Sequence, residues 1–190
     1  MRDDDLGRAL LAVARHAIAV RFSLPAVAAV VTAAMQRPGA TFVTLMCGDE
    51  LRGCIGSLKA TRPLAADVRE NALAAAFRDP RFPPLSVAEF AMLSIEVSLL
   101  SAPERVAFAT EDELCARLVP DVDGIALELG DHRATFLPQV WETLPEPRAF
   151  VAALKAKAGL SVDFWSPKLN VSLYQVTKWK ESEILSLPIA

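Results

Sequence analysis

Apolar positions recur along this chain with two different periods, and each period predicts one kind of element. Where apolar residues return every three or four positions, the pattern predicts amphipathic helices. Pro147 begins the last of these helices and Gly159 ends it, which are the usual places of those residues. Asn71 falls on the apolar stripe of a central helix, so it needs a hydrogen-bond partner if it is buried. The predicted helices cover residues 4–21, 26–35, 63–77, 111–118 and 147–158, with a capping box of Ser86 and Glu89 before a further short helix.

Strict alternation of apolar and polar residues predicts strands in other segments. Leu93, Ile95 and Val97 alternate with Ser94 and Glu96, which is typical of a strand with one buried face. Short turns separate pairs of such strands, so we expect antiparallel hairpins. Hairpins placed between helices favour an α+β fold, with antiparallel sheets flanked by helices, in a single domain over residues 1–190. The predicted strands are Thr41–Cys47, Leu51–Leu58, 93–99, 125–129, 133–137 and 171–177.

The first hairpin carries the most unusual residues. If Gly48-Asp49-Glu50 is a three-residue turn, Thr44 pairs with Cys54 and Met46 pairs with Arg52. Alternation then places all four of these side chains on one face of the hairpin. A slip of one residue, or a bulge at a glycine, changes this register.

Composition and charge argue against several classes of protein. Of 190 residues, 53% are hydrophobic and 23% are charged, which is enough apolar material for a sizeable core. The net charge of −3 gives no electrostatic support for nucleic-acid binding, which is therefore not expected. No apolar run is long enough for a signal peptide or a membrane-spanning helix, so we expect a soluble cytoplasmic protein with no membrane partner.

The cysteines and histidines predict neither a disulfide framework nor a metal site. Cys47, Cys54 and Cys115 show no paired spacing, which favours a reducing compartment. His16 and His132 form no cysteine–histidine motif with them, so no zinc site is expected. The chain also contains no glycine-rich phosphate loop, and we expect no bound cofactor.

Cys54 is the candidate catalytic residue. The thiolate is the reactive form of cysteine and nearby cations favour it, and Arg52 lies two positions away on the same predicted face. Interior glycines let a ligand approach the backbone of a strand closely. Alternatively, Cys54 is only a small buried apolar residue, which is a common use of cysteine. The candidate ligand contacts in this hairpin are Thr44, Arg52, Gly53, Gly56 and Ser57.

The segment 78–84 is the second candidate site, because its three prolines impose an extended path. Arg78, Asp79 and Arg81 lie on this stiff loop, where an arginine is preorganised to bind a carboxylate or phosphate. The alternative is that Asp79 pairs with one of the two arginines and Phe82 fills the core. The sequence leaves both interpretations open.

These segments together resemble the AMMECR domain family, whose members are also named AmmeMemoRadiSam system protein A. The resemblance runs from about residue 6 to about residue 178, and Leu51–Leu58 joined to the Arg81-Phe82-Pro83-Pro84 segment is its most specific part. Ser57 stands where threonine is common in the family. The matching stretches are 41–45, 51–58, 77–84, 95–100, 134–141, 154–160 and 164–165.

The resemblance implies a larger and a smaller lobe, with a groove between them that the Arg52–Ser57 segment lines. The family name also implies two kinds of partner protein, a radical SAM enzyme and a Memo-type metal-binding protein. We favour a component that binds a small molecule or peptide in the groove and works with such a partner. The alternative is a thiol-dependent enzyme that uses Cys54, with Arg52 as its anion binder.

Overall fold

The computed structural model describes residues 3–26 and 28–184 of the chain. Its helices and antiparallel strand pairs confirm the predicted α+β class. The described residues form two compact units, one from those up to residue 100 together with 177–184 and the other from 101–176. The single domain and the groove between two lobes stay predictions.

The predicted helices begin and end close to where the apolar spacing places them, with one exception, and α6 is a helix that the sequence does not predict. The Ser86 hydroxyl accepts a hydrogen bond from the Glu89 amide, and the Glu89 carboxylate accepts one from the Ser86 amide, which confirms the predicted capping box. The helices are α1 (Asp3–Arg21), α2 (Leu64–Phe77), α3 (Val87–Met92), α4 (Glu111–Arg117), α5 (Pro147–Lys157) and α6 (Glu181–Ile184), with 3₁₀ turns at Ala33–Gln36 and Pro138–Glu142.

The exception is the helix predicted over residues 26–35, which is wrong. Only the 3₁₀ turn Ala33–Gln36 forms within it, and residue 27 lies outside the described residues. Residues 30–32 are all β-branched, and such side chains lose rotamer freedom in a helix. Val30 is 75% exposed, so it makes little core contact that could offset this cost.

The strands form two sheets, one in each unit. The described strands are β1 (Pro38–Cys47), β2 (Glu50–Gly56), β3 (Arg62–Pro63), β4 (Leu93–Leu100), β5 (Glu104–Arg105), β6 (Gly124–Leu129), β7 (His132–Phe136), β8 (Asn170–Tyr174) and β9 (Val176–Lys180). The first sheet has the order β2-β1-β4-β9, with β3 also paired to β1, and the second has the order β5-β8-β6-β7.

The last predicted strand, 171–177, is two strands rather than one. Gln175 separates β8 from β9, and its backbone bonds to a residue outside both strands. Its amide donates to the Ser101 hydroxyl, and its carbonyl accepts from the Ser101 amide. One continuous strand would place Gln175 on the same face as the apolar Val171 and Leu173, so a polar residue at that position was the available signal of the break.

The first hairpin confirms one predicted pair and corrects the turn. Thr44 pairs with Cys54 as predicted. The turn has two residues rather than three, because Gly48 adopts a φ of +60°, which suits the first central position of a tight hairpin turn. The ladder then shifts and leaves Arg52 as an extra residue, so the predicted pair of Met46 with Arg52 is wrong. A bulge of this kind redirects a side chain.

The core of the first unit lies between its sheet and two helices. Val43 and Leu45 of β1 and Ile95 and Val97 of β4 are fully buried. They belong to one apolar cluster with residues of α1 and α2, and α2 contacts both α1 and β1. The apolar residues on two sides of α2 therefore reflect packing between layers, as the sequence predicts.

Gly53 is required where β2 crosses α2. A Cβ atom at this position would lie 2.3 Å from the backbone carbonyl oxygen of Ala75. A carbonyl in a helix cannot rotate away, so strand and helix would have to separate. At Gly56 a Cβ atom would instead lie 2.2 Å from the Cγ atom of Phe42, so the half-buried ring, rather than helix backbone, would have to shift.

We expect Gly53→Ala to lower the free energy of unfolding by about 1–3 kcal/mol, because it overpacks a contact with fixed backbone. Gly56→Ala is the matched control on the same strand, and we expect it to cost less. Urea unfolding followed by circular dichroism measures both. Equal losses in the two variants would show that the strand–helix contact is not tight.

The second unit has its own apolar core around stacked rings. Trp141 and Phe150 stack with centroids 3.8 Å apart, and the Trp141 Nε1 donates to the carbonyl of Asp123. Lys155 is 1% exposed, and its ammonium donates to the Glu111 carboxylate at 2.8 Å. Its place in the last turn of α5 suits the helix dipole, but the buried ion pair with α4 explains the residue better.

Candidate functional site

The Cys54 segment lies at the edge of the first sheet, because β2 is the outermost strand there. An edge strand leaves backbone groups without a neighbouring strand. At Cys54 two side chains take that place. The Asp79 carboxylate accepts a hydrogen bond from the Cys54 amide at 2.8 Å, and the Arg81 guanidinium donates to the Cys54 carbonyl at 3.1 Å.

Asp79 is the centre of this arrangement. Its side chain is 1% exposed and accepts from the amide of Arg81 and from its Nε and Nη2 atoms, the last at 2.6 Å. The Arg81 guanidinium, and then the Cys54 amide, hold the pKa of the Asp79 carboxyl well below its usual range against the opposing effect of burial. Of the two interpretations of this loop, the structure shows the pair of Asp79 with an arginine.

The sulfur of Cys54 lies on the sheet face opposite the α2 contact. Its neighbour Gly53 points toward α2, and successive residues of a strand point to opposite faces. The Thr44 hydroxyl, directly across the ladder, donates a hydrogen bond to the Cys54 Sγ at 3.3 Å. The amide, the carbonyl and the sulfur of Cys54 therefore each have a defined partner.

Arg52 is buried rather than presented to solvent. It is 8% exposed, and its Nε donates to Glu89 at 2.6 Å while its Nη2 donates to the Pro83 carbonyl at 2.8 Å. The Arg52 guanidinium, helped by Ser86, lowers the pKa of Glu89 to about 2. The remaining Nη1 atom is buried and has no hydrogen-bond partner among the described residues.

Phe82 does not fill the core, and Arg78 does not lie beside Cys54. The Phe82 ring lies against two guanidinium groups, 5.8 Å from the Arg52 carbon and 5.4 Å from that of Arg81, and it is not among the buried core residues. The Arg78 side chain is 60% exposed, and its Nη2 lies 3.8 Å from a carboxylate oxygen of Glu70. The structure therefore does not bring Arg78 to Cys54.

Ser57 joins a separate, mostly buried polar cluster. Asp67 of α2 is fully buried and accepts from the amide and hydroxyl of Thr41, from the Asn71 amide group and from the Arg62 Nε. Asn71 also donates to the Thr41 carbonyl at 2.9 Å, so its predicted need for a partner is met. Arg62 reaches the Ser57 hydroxyl at 3.1 Å.

Sequence reasoning missed Asp67 and the pairing of Glu89. Asp67 lies four positions before Asn71 on a helix, so both fall on one side of α2, and this spacing was the available signal. Glu89 is recognisable as a capping residue, but its ion pair with Arg52 joins residues that are 37 positions apart. No local pattern carries that information.

Metal-ligand clusters and membrane-spanning helices are absent from the described part of the chain. No group of three or more histidine, cysteine, aspartate and glutamate side chains there is arranged to hold a metal ion. None of the described helices is long and apolar enough to cross a bilayer.

The fold defines an α+β protein with a hydrogen-bonded cysteine on an edge strand. Comparison with known proteins identifies its family. The AMMECR1 family model matches residues 11–179. This chain therefore belongs to the AMMECR1 family.

Relatives and a solved structure agree with this assignment. A protein of Sulfolobus acidocaldarius is 35% identical over 96% of this chain and 87% of its own length. A Methanocaldococcus jannaschii protein is 37% identical over 66% of this chain and 63% of its own length. The crystal structure of an uncharacterized protein from Pyrococcus horikoshii is similar with a TM-score of 0.77 and 27% identity, covering 94% of this chain and 92% of that one.

Proposed function

We propose that this protein binds a small-molecule or peptide ligand at the Arg52–Ser57 segment and presents it to a partner enzyme of the radical SAM or Memo type. The partner classes follow from the resemblance to the AmmeMemoRadiSam proteins. The three cysteines are free, which fits a reducing compartment such as the cytoplasm.

The observation that carries the proposal is the fixed position of Cys54. Asp79, Arg81 and Thr44 hold its amide, carbonyl and sulfur through three separate hydrogen bonds. A binding site gains affinity when its groups need no ordering at the moment of binding. Proline-stiffened loops and buried ion pairs are suitable supports for such a site.

The arginines of this segment support the strand more than they offer charge to a ligand. Arg52 has its Nε and Nη2 atoms committed to Glu89 and Pro83, and Arg81 has its charge committed to Asp79. A partner that meets this surface therefore encounters a rigid strand edge with a half-buried thiol. This arrangement favours presentation of a ligand over capture of a free anion by Arg52.

A thiol-dependent enzyme is the second candidate, and the Thr44–Cys54 contact favours it. The Thr44 hydroxyl donates to the Cys54 Sγ at 3.3 Å and fixes the direction of the sulfur, as a positioned nucleophile requires. In this case Cys54 is the nucleophile, and Arg52 contacts an anionic substrate group through Nη1 after a local rearrangement.

Partner binding tests the first proposal. We expect Cys54→Ala and Arg52→Ala each to weaken binding of a radical SAM or Memo-type protein from the same organism by about tenfold, equivalent to ~1.4 kcal/mol. Calorimetric titration with purified full-length proteins measures this. Cys115→Ala, which removes a half-buried thiol of the second unit, is the control and should leave affinity unchanged.

If both substitutions leave partner affinity and partner activity intact, the proposal is wrong. The thiol-enzyme alternative is decided separately by the rate of Cys54 alkylation at neutral pH. If this rate is no faster than that of the same thiol in the urea-unfolded chain, Cys54 is not an activated nucleophile and the alternative is wrong.

A further inference from the structure

The first unit contains a cavity of about 490 Å³ whose described lining residues all lie outside the Cys54 segment. It is bounded by α1, by α2 and by residues 28–31. Ligand sites in proteins are usually concave, largely apolar spaces of roughly 300–1,000 Å³. The size and the wall therefore suit the hydrocarbon part of a small molecule. Small side chains leave this space open, and the alanines of the wall are Ala17, Ala28, Ala29, Ala65 and Ala66.

His16 is a polar residue in this apolar wall. It is half-buried, and neither of its ring nitrogens hydrogen-bonds to a described residue, although Nδ1 is buried. The residues three and four positions away on α1 are all apolar, so its own helix offers no side-chain partner. An unpaired buried polar atom costs free energy, and an imidazole can both donate and accept. The ring therefore has hydrogen-bonding capacity that the described residues do not use.

The rim of the cavity carries a net positive charge, because two guanidinium groups share one carboxylate. Arg69 and Glu70 line the cavity, and the Arg69 Nη2 donates to Glu70 at 3.3 Å. The Arg78 Nη2 lies 3.8 Å from the other oxygen of Glu70. Arg69 makes no other hydrogen bond with a described residue, so most of its donors are available. A guanidinium binds a carboxylate through two parallel hydrogen bonds.

Residues 28–31 present backbone groups that the fold does not use. They lie in the stretch that the apolar spacing predicts as a helix, but no helix forms there. Their amide and carbonyl groups make no hydrogen bond with another described residue. Every backbone N–H and C=O group needs a partner in the protein, in water or in a ligand. A ligand at this wall therefore meets free donors and acceptors beside the apolar side chains.

We propose that this cavity binds a small organic carboxylic acid, with its hydrocarbon part against the alanine wall and its carboxylate bound by Arg69 and His16. The positive rim selects an anion over an amine, because like charges repel each other. The apolar wall selects a molecule with a hydrocarbon part over inorganic phosphate, because burial of apolar surface is favourable. The inference does not depend on ligand binding at Cys54 and adds a second site to the same unit.

Three probes with the same hydrocarbon chain and different head groups test this in the full chain. Octanoate carries a carboxylate, octan-1-ol a neutral hydroxyl and octylammonium a protonated amine. In calorimetric titrations we expect octanoate to bind at least about tenfold more tightly than either of the other two. Added salt should weaken octanoate binding and leave octan-1-ol binding nearly unchanged, because salt screens exposed charges.

Nuclear magnetic resonance of the imidazole rings locates the site, because the chain has two histidines. Octanoate should shift the signals of His16. The signals of His132 should stay unchanged, because this residue belongs to the second unit, where its Nδ1 lies 2.9 Å from the Ala158 carbonyl oxygen.

Substitutions separate the charge from the cavity. Arg69→Gln should weaken octanoate binding about tenfold without changing octan-1-ol binding. Arg148→Gln in the second unit is the matched control, because its side chain is 70% exposed and that of Arg69 is 64% exposed. His16→Phe keeps a ring without nitrogen and should weaken octanoate binding. Ala28→Trp, at an exposed position, fills the cavity and should weaken it further. Circular dichroism verifies that each variant is folded.

Four results would overturn the inference: equal affinity for the three probes, no octanoate binding at millimolar concentration, octanoate binding that survives both Arg69→Gln and Ala28→Trp, or shifts at His132 instead of His16. The partner titration is a separate test, because Cys54 and Arg52 do not line the cavity. Its failure removes the presentation role and leaves the carboxylic-acid site standing.

Discussion

Replacing Asp67 by asparagine should lower the free energy of unfolding by about 2–4 kcal/mol, because buried donors of Thr41 and Asn71 lose a charged acceptor. The two oxygens of Asp67 accept from Thr41, Asn71 and Arg62, and the residue is fully buried. Asparagine has the same shape, but its NH2 nitrogen donates and cannot accept, so it would face one of the donors that the lost carboxylate oxygen had bound. Urea unfolding monitored by tryptophan fluorescence and circular dichroism measures the loss.

Glu70→Gln is the control for this prediction because Glu70 lies on the same helix and its side chain is 38% exposed. Its ion pairs with Arg69 and Arg78 are on the surface, where such pairs contribute about 0–1 kcal/mol. If the two variants have the same free energy of unfolding, the buried cluster does not stabilise the packing of α2 on β1.

Asp79→Asn should destabilise the protein by about 2–4 kcal/mol and should loosen the edge of β2 at Cys54. The substitution removes the carboxylate that accepts from the Cys54 amide and binds the Arg81 guanidinium. Hydrogen exchange of the Cys54 amide should become faster, and so should alkylation of its thiol. Urea unfolding measures the global loss, and exchange followed by mass spectrometry measures the local one.

The effect of Asp79→Asn should depend on pH with a definite sign. Because folding lowers the pKa of this carboxyl, the folded state binds fewer protons than the unfolded state. The stabilisation is therefore complete above the unfolded pKa of about 3.9 and is lost as pH falls below that value toward the lower folded pKa. The stability difference between wild type and Asp79→Asn should be constant near neutral pH and should shrink below about pH 4.

Asp49→Asn, in the exposed turn of the same hairpin, is the control for both readouts of this prediction. It should change neither stability nor exchange at Cys54 appreciably. A difference between wild type and Asp79→Asn that grows as the pH falls below 4 would contradict the assigned role of the carboxylate.

The parts of the fold that the sequence predicts correctly depend on neighbouring residues. Alternation identifies β4, and the Ser86–Glu89 capping box forms as expected, because both patterns arise within one element. The helix predicted over 26–35 fails for the opposite reason. Its apolar residues meet the local rule, but Val30 is exposed and tertiary packing does not stabilise the helix.

In the candidate site, too, local patterns predict some features and tertiary packing decides the others. The Thr44–Cys54 pair follows from strand alternation and is observed. The bulge at Arg52 depends on how β2 passes α2 at Gly53, which no period reveals. As a result the Arg52 side chain contacts Glu89, a pairing that the predicted register does not contain, and its role in ligand binding stays a prediction.

The sequence by itself determined the family, the α+β class and the place of the thiol in its strand, because motifs, periodicity and capping are local properties. Only the tertiary structure decided which polar and charged groups contact each other. Asp79 reaches Cys54 across 25 positions, and Thr41 reaches Asp67 across 26. Such contacts depend on how separate elements pack, and burial strengthens them by removing competing water. The strand edge at Cys54 is therefore held by side chains whose partners no sequence pattern could assign.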